Sequence, residues 1–105
     1  MPRIERFGPG APAATGHVRW THRTVEVEVS GLPALPPGKV YQLWHLGPMP
    51  RPVPQATFTV DPSGQLHGWD TMAFAIGRND RFAISAESAG GSRSPTSPLY
   101  AVSGN

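Results

Sequence analysis

The cleanest pattern in the chain is Thr24-Val25-Glu26-Val27-Glu28-Val29, where three valines fall on one side of an extended strand and two glutamates on the other. It predicts a strand that buries its valines and leaves Glu26 and Glu28 in solvent. His17 to Trp20 alternates in the same sense, with Val18 and Trp20 on one side and His17 and Arg19 on the other. Arg81 to Glu87 places Phe82, Ile84 and Ala86 inward, and Leu99 to Val102 supplies a closing strand. Thr57 to Val60, the turn Asp61-Pro62-Ser63-Gly64 and Gln65 to Trp69 read as one β-hairpin, because Pro at the second turn position and Gly at the fourth suit a type I turn. Met72 to Ile76 is apolar throughout and fits a strand or a short helical turn.

The stretch Gly38 to Leu46 differs from these. Tyr41, Leu43 and His45 point to one side of a strand and Gln42, Trp44 and Leu46 to the other, with bulky groups on both sides. This predicts a central strand covered on both faces, with Trp44 at the middle of the core between two sheets, since an indole removes about 150–250 Å² from water. A ligand platform built from Tyr41 and Trp44 is the competing reading. Tyr41, Leu43, Trp44, Phe82 and Ile84 form the expected structural set.

Breakers separate these runs. With Gly 12 and Pro 13 in 105 residues, the punctuation is dense enough for a disordered chain, but the aromatic and β-branched runs between breakers argue for short strands joined by turns. Gly31 to Gly38 holds three prolines that cannot donate to a ladder, so it should be a crossing loop pinned by Leu32 and Leu35. Gly47 to Pro54 should be a second Pro-rich surface loop. The fold class is all-β: an antiparallel β-sandwich of Ig-like, Greek-key type with six to eight short strands. Residues 1–16, with Ile4 and Phe7 as their only apolar anchors, read as a flexible Pro/Gly-rich tail or linker, and residues 17–105 as the sandwich.

Charge narrows the partners. The formal net charge is +2 and the charged fraction 15%, and the basic residues are scattered singly, so no clustered positive face of the kind nucleic-acid binding needs is visible in the linear sequence. Cysteine is absent, which removes disulfides, thiolate metal sites and cysteine nucleophiles. No run approaches the roughly 18 consecutive apolar residues of a membrane span, and Met1 to Gly16 lacks the apolar region of a signal peptide.

Candidate chemistry is sparse. His17 and His22 are five apart and would face opposite ways on one strand, and His45 and His67 lie on separate strands with no carboxylate at a fixed close spacing, so no metal site is expected. No serine sits in a Gly-x-Ser-x-Gly elbow and acidic residues are few, so neither catalysis nor a cofactor is expected. The strongest functional candidate is the loop Glu87 to Pro98, with Glu87, Gly90, Gly91, Ser92, Pro95 and Thr96 as its candidate residues. Two consecutive glycines permit positive φ and can present successive N–H groups to an anion. Glu87 can fill that role from within the chain by accepting from Gly91 and Ser92, which is the favoured reading; a ligand-binding loop is the other.

The order of these motifs resembles the extracytoplasmic C-terminal domain of anti-sigma-K factors. The likeness runs through Val27 to Pro33, Gly38 to Trp44, Phe58 to Gly64 and Phe82 to Ser92 with Pro95-Thr96, and covers about residues 17–103. Ser88 stands where the family often has proline, and His45 interrupts an otherwise apolar strand end. The resemblance implies a non-catalytic sensory or regulatory domain outside the membrane, in a protein whose cytoplasmic zinc-dependent domain holds a sigma factor until regulated proteolysis releases it. It implies an apolar segment of about 20 residues upstream of this domain, preceded by a helical domain with a His-x-x-x-Cys-x-x-Cys pattern. The implied partners are the remainder of that protein and its proteolysis machinery; the sigma factor is reached only through the cytoplasmic domain, with no nucleic acid and no membrane insertion by this chain. The alternative, drawn from the residues alone, is a stand-alone module that uses loops 47–54 and 88–98 to hold a small ligand, polysaccharide or protein.

Overall fold

The computed structural model describes residues 4–7, 14–21, 23–46, 51–71, 76–77, 80–96 and 99–103. Eight strands follow in chain order: β1 (Ile4–Phe7), β2 (Thr15–Trp20), β3 (Thr24–Ser30), β4 (Lys39–His45), β5 (Val53–Phe58), β6 (Leu66–Thr71), β7 (Phe82–Ser88) and β8 (Leu99–Ser103). They form two sheets, β1-β8-β7-β4-β5 and β2-β3-β6, antiparallel at every pairing. Among the described residues there is no helix. The chain crosses between sheets at β1→β2, β3→β4, β5→β6 and β6→β7, so that β2-β3-β6 take the places of strands A-B-E of an Ig-like sandwich and β8-β7-β4-β5 those of G-F-C-C′.

One apolar cluster draws on both sheets: Val18, Val25, Val27, Val29 and Leu66 from the three-stranded sheet, and Tyr41, Leu43, Phe82 and Ile84 from the five-stranded one. The valines of β3 alternate buried with half-buried or exposed neighbours, as their spacing predicts. Trp20 tilts onto Phe82 with ring centroids 5.4 Å apart, which ties β2 to β7 across the layers. The Pro-rich crossing of 31–38 is pinned by buried Leu32, and by the Tyr41 hydroxyl, which donates to the Pro33 carbonyl at 2.5 Å.

Four expectations change. Ile4–Phe7 belongs to a strand paired with β8, so the tail read over 1–16 supplies the edge of a sheet. Val53-Pro54 opens β5 where a loop was expected to continue; β5 is an edge strand, a setting in which a sheet tolerates proline. The hairpin read over 57–69 is not formed. Its turn exists, with Gly64 N donating to Asp61 O at 2.9 Å and Asp61 Oδ1 accepting from the Ser63 and Gln65 amides, but β5 pairs with β4 and β6 with β3. The turn carries the chain from one sheet to the other.

Trp44 is the fourth. It is fully buried, but it stands outside the cluster between the sheets, on the other side of β4 from Tyr41 and Leu43. Of the apolar run 72–76 only Ile76, which is buried, lies within the described residues, along with Gly77.

Candidate functional site

The face of β4 and β7 turned away from the three-stranded sheet carries the densest buried polar network among the described residues. Register sets it up: Val40 lies opposite Glu87, Gln42 opposite Ser85 and Trp44 opposite Ala83, so these side chains share one face. Trp44 Nε1 donates to Ser85 Oγ at 2.8 Å, and Ser85 Oγ donates onward to Glu87 Oε2 at 2.5 Å. Glu87 also accepts from the Thr96 amide at 3.1 Å, from the Thr96 hydroxyl and from the Ser92 hydroxyl. Burial pushes the Glu87 carboxyl up, but the hydrogen bonds from Ser85, Thr96 and Ser92 outweigh it and hold the carboxyl below the ordinary carboxylate range.

The segment 89–96 folds over this network as a strap. Gly90 and Gly91 take φ of 94° and 86°, a left-handed pair that side-chain-bearing residues avoid. The Gly91 amide closes the turn on Ser88 O at 2.9 Å. Gln42 then clasps the strap with both ends of its amide: Oε1 accepts from Ser92 N at 2.8 Å and Nε2 donates to Ser92 O at 3.0 Å. A strand-like pairing is thereby made by a side chain. Gln42, Ser85 and Glu87 are all buried, so the network is sealed as well as satisfied.

Of the candidate residues, Glu87, Ser92 and Thr96 converge directly, and Gly90 and Gly91 shape the turn that brings them together. Pro95 is half-buried beside Thr96 in the same strap. One expected pairing differs: Gly91 N goes to Ser88 O, and the role assigned to it at Glu87 is filled by Thr96 and Ser85, because Glu87 points beneath the strap and not at its tip. Gln42, Trp44 and Ser85 were missed as members of the network. The usable signal was the period of two, which puts Gln42 and Trp44 of one strand, and Ser85 and Glu87 of the other, on the same side of their strands. A recess of about 380 Å³ opens beside the strap, lined by Gln42, Pro54, Gln55, Thr57 and Gly90 to Arg93.

A second buried polar pair lies between the sheets. His45 Nε2 stands 2.7 Å from Asp80 Oδ2, and the imidazole stacks on Phe82 at 5.2 Å. The same Asp80 oxygen accepts from Gly77 N at 2.9 Å, and His45 Nδ1 has no partner among the described residues. The carboxylates that His45 and His67 meet are brought by the fold from a distance, Asp80 from 35 positions away and Glu26, whose Oε2 lies 3.2 Å from His67 Nε2, from 41. His17 pairs with Glu28 at 3.2 Å, and His22 lies outside the described residues. Among the described residues no three histidine, aspartate or glutamate side chains converge as a metal cage.

The architecture and the strap define an all-β sandwich module whose polar residues are spent on holding a loop. The family model described as anti-sigma-K factor rskA, C-terminal, matches residues 6–100, so the chain belongs to that family and its role is regulatory within an anti-sigma factor. Sigma-factor regulation and association with the rest of an anti-sigma protein follow from that membership. No curated protein and no solved structure matches the chain significantly.

Proposed function

We propose that this domain is the extracytoplasmic sensory module of a membrane-bound anti-sigma factor, and that its folded state governs release of the sigma factor by regulated proteolysis. The observation that carries the reading is the extent of the family match, residues 6–100, which runs from within β1 into β8 and so takes in all of β2 to β7. The strap gives that role a physical handle. It is joined to the sheet by Gln42, Glu87 and the two left-handed glycines, and opening it would expose Trp44, Ser85 and Glu87 together. A ligand or stress that competes for those contacts would change the shape a protease meets. The domain performs no chemistry on this reading.

The test uses the full-length protein in its native cell. Membrane fractionation and protease added outside the cytoplasmic membrane should find this domain membrane-associated and cleavable from outside, and Glu87→Gln should change the output of a sigma-dependent reporter. A domain recovered in the cytosol, with no effect of the variant on the reporter, would defeat the proposal. The recess beside the strap favours a second reading, a stand-alone module that binds a ligand there; retention of binding by the isolated domain without any reporter effect would select it.

A further inference from the structure

The three-stranded sheet turns a second face to solvent, made by the outward residues of β2, β3 and β6. Trp69 stands on it with 67% of its surface exposed, the only large hydrophobic side chain so exposed among the described residues. A chain that buries Trp44 completely and tucks Trp20 against Phe82 has left one indole in water. Its position is set by register: Trp69 lies directly opposite Glu26, and Arg19 lies opposite Glu26 on the other side. Together they border a recess of about 440 Å³ whose accessible lining is mostly apolar and which is rimmed by the Thr21 and Thr24 hydroxyls. That volume falls within the roughly 300–1,000 Å³ usual for small-molecule sites.

We propose that this face binds neutral oligosaccharide, with a pyranose ring stacked on Trp69. The choice of ligand follows from the chemistry around the indole. The face of an aromatic ring is negative and attracts polarised C–H groups, which a pyranose presents on one side, while its hydroxyls need donors and acceptors at the rim. Here Arg19 and Glu26 pair with each other, and the Thr21 and Thr24 hydroxyls bond each other at 2.6 Å, but all four are exposed or half-buried and keep further donor or acceptor positions for a sugar hydroxyl. An anionic ligand is disfavoured because Arg19 already pairs with Glu26 at 3.6 Å, and His17 and His67 each lie against a glutamate. A second copy of the chain is disfavoured too, because the rest of the face is a ladder of these mutually paired charges, whereas homodimer interfaces are apolar at their centres. The proposal is independent of where the domain sits in the cell and of the strap.

Titration of the purified domain with cellotetraose, maltotetraose and chitotetraose, followed by intrinsic tryptophan fluorescence and two-dimensional amide NMR, tests it. At least one of the three should bind with Kd of about 0.1–1 mM, perturbing the Trp69 indole N–H and leaving that of buried Trp44 unmoved. Trp69→Ala should weaken binding about tenfold or more, and Trp69→Tyr, which keeps an aromatic face, should retain it within about threefold. Trp69 is exposed, so neither variant should alter folding, and an unchanged melting temperature confirms that the loss is one of binding. The proposal is overturned if none of the three saccharides perturbs Trp69 at about 10 mM, or if Trp69→Ala binds as well as the parent. Sedimentation showing a dimer that Trp69→Ala abolishes would also overturn it and assign the face to self-association.

Discussion

The ring of Phe58 in β5 lies against the backbone of Gly68 in β6, so closely that a Cβ at position 68 would overlap its Cδ1 and Cε1 carbons. The two residues sit on strands of different sheets, and their contact sets how near the sheets come at that edge. Gly68→Ala should therefore cost about 1–3 kcal/mol through overpacking, read by urea denaturation. Combining it with Phe58→Leu should recover part of the loss, since the two sites share one space. Strict additivity of the two changes would show that the contact does not govern the spacing.

Trp44 and Ser85 form the inner half of the strap network. Trp44→Ala should lower stability by about 3–5 kcal/mol even though the indole lies outside the inter-sheet cluster, because its burial is complete. Ser85→Ala removes the acceptor of the indole N–H and one donor to Glu87, and should cost about 1–3 kcal/mol, the penalty of a buried donor left unpaired. A variant as stable as the parent in chemical denaturation would contradict the network.

Glu87 gives the strap a pH signature. Its folded carboxyl titrates below its ordinary value of 4.5, so the unfolded chain binds the proton more readily, and stability is present above about 4.5 and lost as pH falls through the lowered folded value. Glu87→Gln should lose about 1–3 kcal/mol at neutral pH and show a flatter decline in melting temperature below pH 4.5 than the parent. Equal slopes for the two proteins would remove Glu87 as the cause.

Gln42→Ala should release the strap without unfolding the sheets, since it removes both hydrogen bonds to Ser92 and no apolar contact of the core cluster. Hydrogen exchange at the Ser92 and Thr96 amides should speed up while that of β3 stays unchanged. A uniform rise across both sheets would mean that the strap and the sandwich open as one unit.

Asp80 holds His45 Nε2 and the Gly77 amide together at one end of the sandwich. Asp80→Ala strands both groups and should cost about 1–3 kcal/mol in urea denaturation, with Asp80→Asn, which keeps an oxygen acceptor, costing less. Equal losses in the two variants would deny that the acceptor is what matters.

Most strands were legible because they are written in their own residues; β1, read as part of a tail, and the start of β5, read as a loop, were not. The valines of β3, the Phe82 and Ile84 pair of β7 and the breakers between them obey a local period of two, and a period is a property of consecutive residues. The turn at Asp61 to Gly64 and the left-handed glycines of the strap were legible for the same reason, as was the role of Glu87 as an internal acceptor.

What the amino-acid sequence left undetermined lies between distant positions. The Asp61 turn reverses the chain, but nothing within it says whether the next strand joins its predecessor's sheet, and β6 goes instead to β3, where Leu66 and Gly68 meet Val29 and Val27. Trp44 could be assigned to a covered face but not to which one, since alternation separates the two faces of a strand without saying which meets the other sheet. His45 finds Asp80 across 35 positions and Ser92 finds Gln42 across 50, distances at which spacing carries no signal. Local periodicity determined where strands form; pairing of strands and sealing of polar groups were decided only once burial forced each remote donor to find an acceptor.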